Sequence, residues 1–433
     1  MTSINYRLWG SILLIALFPA LYSTVRIYFL NSLPDTWNVS IAAQSAWLNL
    51  AYEVLQEAII LPLYFIFGQV IRDRRALQDR VTRAFAITLA AYVTLTVGVL
   101  FGADWLTAAM AQKPELQSLT ARFVRLEATS IMIGTMNDIC IVVVVALGLH
   151  RVVFALVAIR ALLTITLDSY FVGQFGFSAN MGAIGVALTN ISVGAILLLP
   201  SAIILIRIGA LGRINAGWGV AWIGSWFRVS VRSGLESAVR NLAFSLMILK
   251  LMNEVSEAGL FWVANGFIWG WLLLPILTLG TLVRQDAGNH AGRLDARFRG
   301  YFRLTSIIIG IWIVTIPGWT WFIATALSSP EAERVFALSL LMLAFYIVFA
   351  FNHILDSYFY GVGRTDLMLY QSLFVSIVYY GAAFLAYRSG SFIPDLQKIA
   401  LLFGGGILID SLVTAWQFWR SGYFRIAQLP QAT

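Results

Sequence analysis

Hydrophobic residues along this chain come in long runs, divided by short polar stretches rich in arginine, serine, glycine and proline. About twelve runs reach the length of roughly twenty residues that carries a helix across a bilayer. They cover residues 7–31, 40–71, 83–103, 121–149, 151–173, 181–207, 232–252, 258–283, 300–327, 334–361, 366–388 and 396–418. Runs such as Val193–Ile208 and Ser306–Ile316 do not alternate apolar and polar positions, as the strands of a membrane barrel do. Open strands cannot satisfy their backbone groups in lipid, which leaves helices. The pattern predicts an all-α membrane protein of about 12 transmembrane helices.

One segment departs from the pattern. In residues 213–231, Trp218, Trp222 and Trp226 recur every fourth position, with Arg213 and Arg228 alongside. That spacing suits a helix lying flat at the cytoplasmic interface. It divides the chain into a six-helix lobe at 1–212, the linker helix at 213–231 and a second six-helix lobe at 232–433. The halves are weakly alike. Gly68-Gln-Val-Ile-Arg72 resembles Gly280-Thr-Leu-Val-Arg284, and Pro62 and Pro275 precede these stretches by similar distances. Asn137 precedes Gly148 by the interval that separates Asn352 from Gly363. Duplicated bundles with a site between them are a common transporter design.

Composition sharpens this. Apolar residues make up 60% of the chain and charged residues 12%, about half the charged share of a soluble protein. The net charge of +8 sits in alternate loops. Arg72, Arg74, Arg75, Arg80 and Arg83 form one group, and Arg284, Arg293, Arg297, Arg299 and Arg303 another, whereas Asn31–Ser40, Gln174–Met181 and Asn253–Glu257 are poor in Arg and Lys. Such alternation places both termini in the cytoplasm of a bacterial-type inner membrane, and no nucleic-acid partner is expected. Cys140 stands alone, so an internal disulfide is impossible. The first apolar run lacks a cleavage site after it and reads as the first span.

Several stretches resemble the multidrug and toxic compound extrusion (MATE) family of the multidrug/oligosaccharidyl-lipid/polysaccharide (MOP) exporter superfamily. They are Leu21-Tyr-Ser-Thr-Val-Arg-Ile-Tyr-Phe-Leu30 in helix 1, Leu167-Asp-Ser-Tyr-Phe171 in helix 5 and Gly182-Ala-Ile-Gly-Val-Ala-Leu-Thr189 in helix 6. The resemblance implies two pseudo-symmetric six-helix bundles around a central cavity, alternating access, and multidrug efflux by antiport against protons or sodium. It implies that Asp168 is the helix 5 carboxylate of a cation site in the first lobe, Thr189 its helix 6 hydroxyl, and Thr164 the replacement for a family asparagine. Arg26 stands where the family has its helix 1 aspartate. Either it pairs with Asp168 in place of the coupling ion, or it holds an anionic substrate group; the sequence leaves both open.

Ionisable groups inside a membrane are functional candidates because burying them is costly. Glu53 and Glu57 lie one turn apart on helix 2 and suit proton carriage. Asn137 and Asp138 on helix 4, Asn190 on helix 6, Asn241 on helix 7, and Asn352, His353 and Asp356 on helix 10 are expected to line the substrate cavity. Glu236 and Arg240 read as a structural pair, Asp410 on helix 12 as a further candidate, and Pro62 and Pro275 as packing features. Enzyme motifs such as H-E-x-x-H, C-x-x-C, G-x-S-x-G and the P-loop are missing, so no enzyme, metal centre or cofactor is expected beyond Na+ or H+ as coupling ion. The expected partners are membrane lipid and a small-molecule or lipid-linked substrate, with the protein a monomer. A flippase for a lipid-linked or anionic substrate is the alternative to a drug exporter. A membrane-embedded enzyme or a non-transporting membrane protein ranks below both.

Overall fold

A computed structural model of the chain describes residues 4–35, 37–70, 72–212, 221–289 and 295–421. Every regular element among them is helical. Nine helices are long and apolar enough to cross a membrane, and the bent pair Ala258–Leu272 and Leu274–Ala287 makes a tenth. Two further helical stretches, 37–68 and 221–254, complete a set of twelve. The first is broken into short pieces. The second carries Arg228, Glu236, Arg240, Lys250 and Glu254. Numbered along the chain, the set is helix 1 (Tyr6–Ser32), helix 2 (37–68), helix 3 (Arg74–Ala109), helix 4 (Gln117–Ala146), helix 5 (His150–Phe171), helix 6 (Gly182–Arg207), helix 7 (221–254), helix 8 (258–289), helix 9 (295–325), helix 10 (Ala332–Gly361), helix 11 (365–388) and helix 12 (Leu396–Arg420). Phe101, Trp105 and Val314 lie 86%, 72% and 79% exposed on helices 3 and 9. Apolar surface of that kind belongs in lipid.

Local chemistry sets several boundaries. Helix 3 starts nine residues before its apolar run, because the Asp73 carboxylate accepts from the backbone N–H groups of Arg75 and Ala76 and caps it. Its first turns, with Asp79 and Arg83 paired at 2.9 Å, lie before the apolar part. Helices 4 and 10 run into Gly148 and Gly363, whose φ values of 71° and 76° are left-handed and suit a residue without Cβ. The matching intervals after Asn137 and Asn352 thus mark equivalent helix ends. Pro62 and Pro275 are more than packing features. Each follows a wide π turn, 56–60 in helix 2 and 268–272 in helix 8, at which the helix breaks. A proline cannot donate to the preceding turn, so the ladder is interrupted there; the two pieces of helix 8 meet at 53°.

The chain divides into two compact units, Val25–Gly259 and Met1–Thr24 with Leu260–Thr433. In the first, helix 4 packs on helices 2, 3 and 6, and helix 7 packs on helix 2. A Cβ on Gly234 would meet the Ala58 Cβ at 2.8 Å, so glycine permits that close approach. In the second unit, helix 10 packs on helices 8, 9 and 12, around a core that includes Leu279, Tyr301, Ile354, Phe359 and Phe418. The start of helix 1 belongs here, with Trp9 Nε1 donating to Thr278 Oγ1 at 3.1 Å. The compact units therefore do not follow the sequence halves: helix 7 lies with helix 2, and the start of helix 1 with helix 8. Residues 213–220 of the expected linker helix, Trp218 among them, lie outside the described residues. Residues 221–231 run without a break into helix 7.

Candidate functional site

Three polar clusters are built on these helices, two in the Val25–Gly259 unit. The first joins helices 1, 4, 5 and 6. Arg26 donates from Nε to Asp168 Oδ2 at 2.9 Å and from Nη2 to Asp168 Oδ1 at 3.4 Å. This two-pronged geometry matches the guanidinium fork to the carboxylate. Asp168 is fully buried, and the Arg26 side chain is 13% exposed. Arg26 Nη2 also donates to Asn190 Oδ1 at 2.8 Å. The Asn190 amide nitrogen in turn donates to both oxygens of Glu127, at 2.9 and 3.0 Å. The cluster thus holds one guanidinium and two carboxylates, bridged by one amide.

Helix geometry explains why these residues meet. Arg26 lies six residues before the end of helix 1, and Asp168 three before the end of helix 5. Glu127 lies ten residues into helix 4, and Asn190 eight into helix 6. Their hydrogen bonds bring the late turns of helices 1 and 5 beside the early turns of helices 4 and 6. Thr164 and Thr189, the other members of the expected cation site, are buried at 4% and 0% exposure. Thr164 donates to the Arg160 carbonyl on its own helix, and the Thr189 hydroxyl has no hydrogen-bond partner.

The second cluster joins helices 2 and 7. Arg240 lies 2.8 Å from Glu57, 3.0 Å from Glu236 and 3.5 Å from Glu53. Glu53 and Glu57 are therefore not a bare carboxylate pair, and Arg240 serves more than Glu236. These side chains are 15% to 38% exposed, which leaves them accessible beside a shared cation. The π turn in helix 2 contributes to the joint. Its loosened carbonyls at Glu57 and Ile59 accept from Ser233 Oγ at 2.9 Å and Trp226 Nε1 at 3.0 Å on helix 7. Asn241 donates to the Leu50 carbonyl at 3.1 Å and fastens the same two helices.

The third cluster belongs to the other unit. Asn352 donates to Asp356 Oδ2 at 2.9 Å and to Asp410 Oδ2 at 3.4 Å, and Thr414 donates to Asp356 Oδ1 at 2.9 Å. Asp410, on helix 12, is thereby drawn to the helix 10 group. His353 is not part of it: its ring stacks on Phe349 with centroids 5.6 Å apart and faces helix 8, where a Cβ on Gly280 would come within 2.2 Å of His353 Nε2. Asn137 also has a packing geometry. Its amide donates to the Gly194 carbonyl at 3.0 Å, joining helices 4 and 6. Asp138 lies 3.7 Å from Arg160 on helix 5. Among the described residues, no group of His, Cys, Asp and Glu is arranged to hold a metal ion.

Comparison with solved structures places this architecture. A MOP superfamily transporter from Pyrococcus furiosus, for which a binding pocket of reverse polarity suggests a different function, superposes with a TM-score of 0.70 at 16% identity, covering 98% of this chain and 96% of that one. A multidrug resistance MATE family transporter in an outward-facing conformation gives 0.66 at 17% identity, covering 98% and 95%. An inward-facing one gives 0.63 at 16% identity, covering 100% and 97%. The fold is that of the MATE transporters. No protein-family model matches the chain, and no curated protein matches it in sequence. The likeness is one of fold, at 16–17% identity over nearly the whole chain, and agrees with the twelve-helix, two-bundle layout that the short stretches in helices 1, 5 and 6 implied. Glu127 escaped the sequence reading because it sits among Arg122, Arg125 and other polar residues near the start of its apolar run. Its depth, ten residues into its helix, was the signal available.

Proposed function

We propose that this chain is a secondary active transporter of the MATE type, which exports small organic or amphipathic compounds from the cytoplasm by alternating access. Its place is the inner membrane, with both termini cytoplasmic. The observation that carries the reading is the Arg26–Asp168 pair on a MATE fold. The resemblance assigns a coupling cation to this carboxylate, and here a tethered, permanently charged guanidinium lies against it at 2.9 Å. Arg26 then stands in for the ion, so coupling through Asp168 is lost and another acid must supply it. The Arg240 cluster sets three carboxylates against one guanidinium. That surplus of negative charge favours a cationic substrate over an anionic one.

The flippase alternative needs a free cation for a phosphate or carboxylate. Arg26 is directed to Asp168 and Asn190, which supports the exporter reading against it. The test is transport by purified protein in liposomes, with proton and sodium gradients imposed separately and a fluorescent organic cation as probe. Arg26→Asp would restore the acid that the family has there, and the reading expects this variant to gain a sodium response that the parent lacks. A variant with no such response, in liposomes where the parent transports, would count against Arg26 as the ion's replacement.

A further inference from the structure

Charge counting in the first cluster leads beyond the pair itself. Arg26 contributes one positive charge that proton exchange cannot remove, since the guanidinium stays charged at any working pH. Asp168 and Glu127 contribute two carboxylates. Asp168 is fully buried and Glu127 is 6% exposed. Two ionised acids against one cation leave a surplus negative charge with almost no water to solvate it, at a cost of several kcal/mol. The Glu53–Glu57–Glu236 cluster differs because its side chains are accessible. In the Arg26 cluster a single added proton would relieve the surplus.

Geometry says which oxygen takes it. Asp168 receives two hydrogen bonds directly from the charged guanidinium, a two-pronged, charge-assisted contact. Glu127 receives only neutral donors, the Asn190 amide nitrogen shared between its two oxygens and the Ser130 side chain on its own helix. The charged groups that face Glu127 are Arg26 from helix 1 and Asp168 from helix 5; helix 6 contributes the neutral Asn190, and helix 4 itself Ser130. Asn190 accepts from Arg26 and donates to Glu127, so it is the physical link through which the charge on Glu127 reaches the pair.

We propose that Glu127 is the proton-carrying carboxylate of this cluster, taking over on helix 4 the coupling role that Arg26 removes from Asp168. The step is a simple exchange: a proton from the aqueous side adds to a Glu127 oxygen and leaves again as the cluster opens to water. The coupling part of the inference rests on the transporter reading, but its test does not require transport.

The test is infrared difference spectroscopy on the full chain in liposomes, between acidic and alkaline buffer, read at the carbonyl stretch of protonated carboxyl groups. The parent should show a band from a buried carboxyl. Glu127→Gln, which keeps the shape and the hydrogen bond to Asn190, should lose that band, and Glu127→Asp should displace it. Asp356→Asn should leave it in place. A band that persists unshifted in both Glu127 variants overturns the proposal, as does its absence from the parent. A band lost in Glu127→Gln while no gradient drives transport would instead defeat the transporter reading and leave the proton site standing.

Discussion

Replacing Arg26 by leucine tests the buried Arg26–Asp168 pair. The change removes both hydrogen bonds to Asp168 and the one to Asn190. Asp168 stays fully buried and loses the charge that compensates it. Breaking a buried pair from one side costs about 3–5 kcal/mol, roughly two to three and a half orders of magnitude in the folding equilibrium. Unfolding in mixed micelles, followed by circular dichroism, reads that loss. Adding Asp168→Leu tests the cause: with both charges gone no uncompensated ion remains, so the double variant should be more stable than Arg26→Leu alone. The coupling energy from such a cycle isolates the pair. An Arg26→Leu protein within about 0.5 kcal/mol of the parent, or two losses that simply add, would refute the reasoning.

Other consequences follow from the same geometry. Arg240→Met leaves Glu53, Glu57 and Glu236 without their shared cation; allowing for the accessibility of these groups, it should cost about 1–2 kcal/mol, and adding Glu57→Gln should recover part of that in the same assay. Gly280→Ala places a methyl 2.2 Å from His353 Nε2 and 2.6 Å from Ser357 Oγ, so overpacking should lower stability by about 1–3 kcal/mol, whereas Gly98→Ala, with nothing within 4 Å, should not lower it. Cys140 is fully buried, with its thiol donating to the Ser201 carbonyl at 3.4 Å; a membrane-impermeant maleimide should leave it unlabelled in the folded protein and label it after denaturation, as judged by mass spectrometry.

Much of the fold was legible because lipid imposes one long period on the sequence. All twelve apolar runs correspond to helices, and the repeat Asn137/Gly148 against Asn352/Gly363 marked equivalent helix ends that need left-handed glycine. Less legible was what depends on side-chain caps, on turn geometry and on partners distant in sequence. The length of helix 3 depends on the Asp73 cap rather than on hydropathy. The breaks in helices 2 and 8 come from π turns before Pro62 and Pro275, and single prolines do not reveal how far a helix deviates. Within the site, the Arg26–Asp168 contact was one of two readings the sequence left open, reached through the resemblance. Arg240 looked like the i, i+4 partner of Glu236 because spacing along one helix is visible in a sequence, whereas its approach to Glu53 and Glu57 on helix 2 is not. Glu127, set among polar residues at the start of its run, had the further disadvantage that its partner Asn190 lies 63 residues away.

The central claim is that a MATE-type exporter works here with Arg26 in place of the coupling ion at Asp168. Its most direct test is accumulation of a fluorescent organic cation in proteoliposomes under a proton gradient alone and under a sodium gradient alone. The account predicts accumulation driven by the proton gradient and none driven by sodium. Accumulation driven by sodium, or an equal lack of response to both gradients, would contradict it.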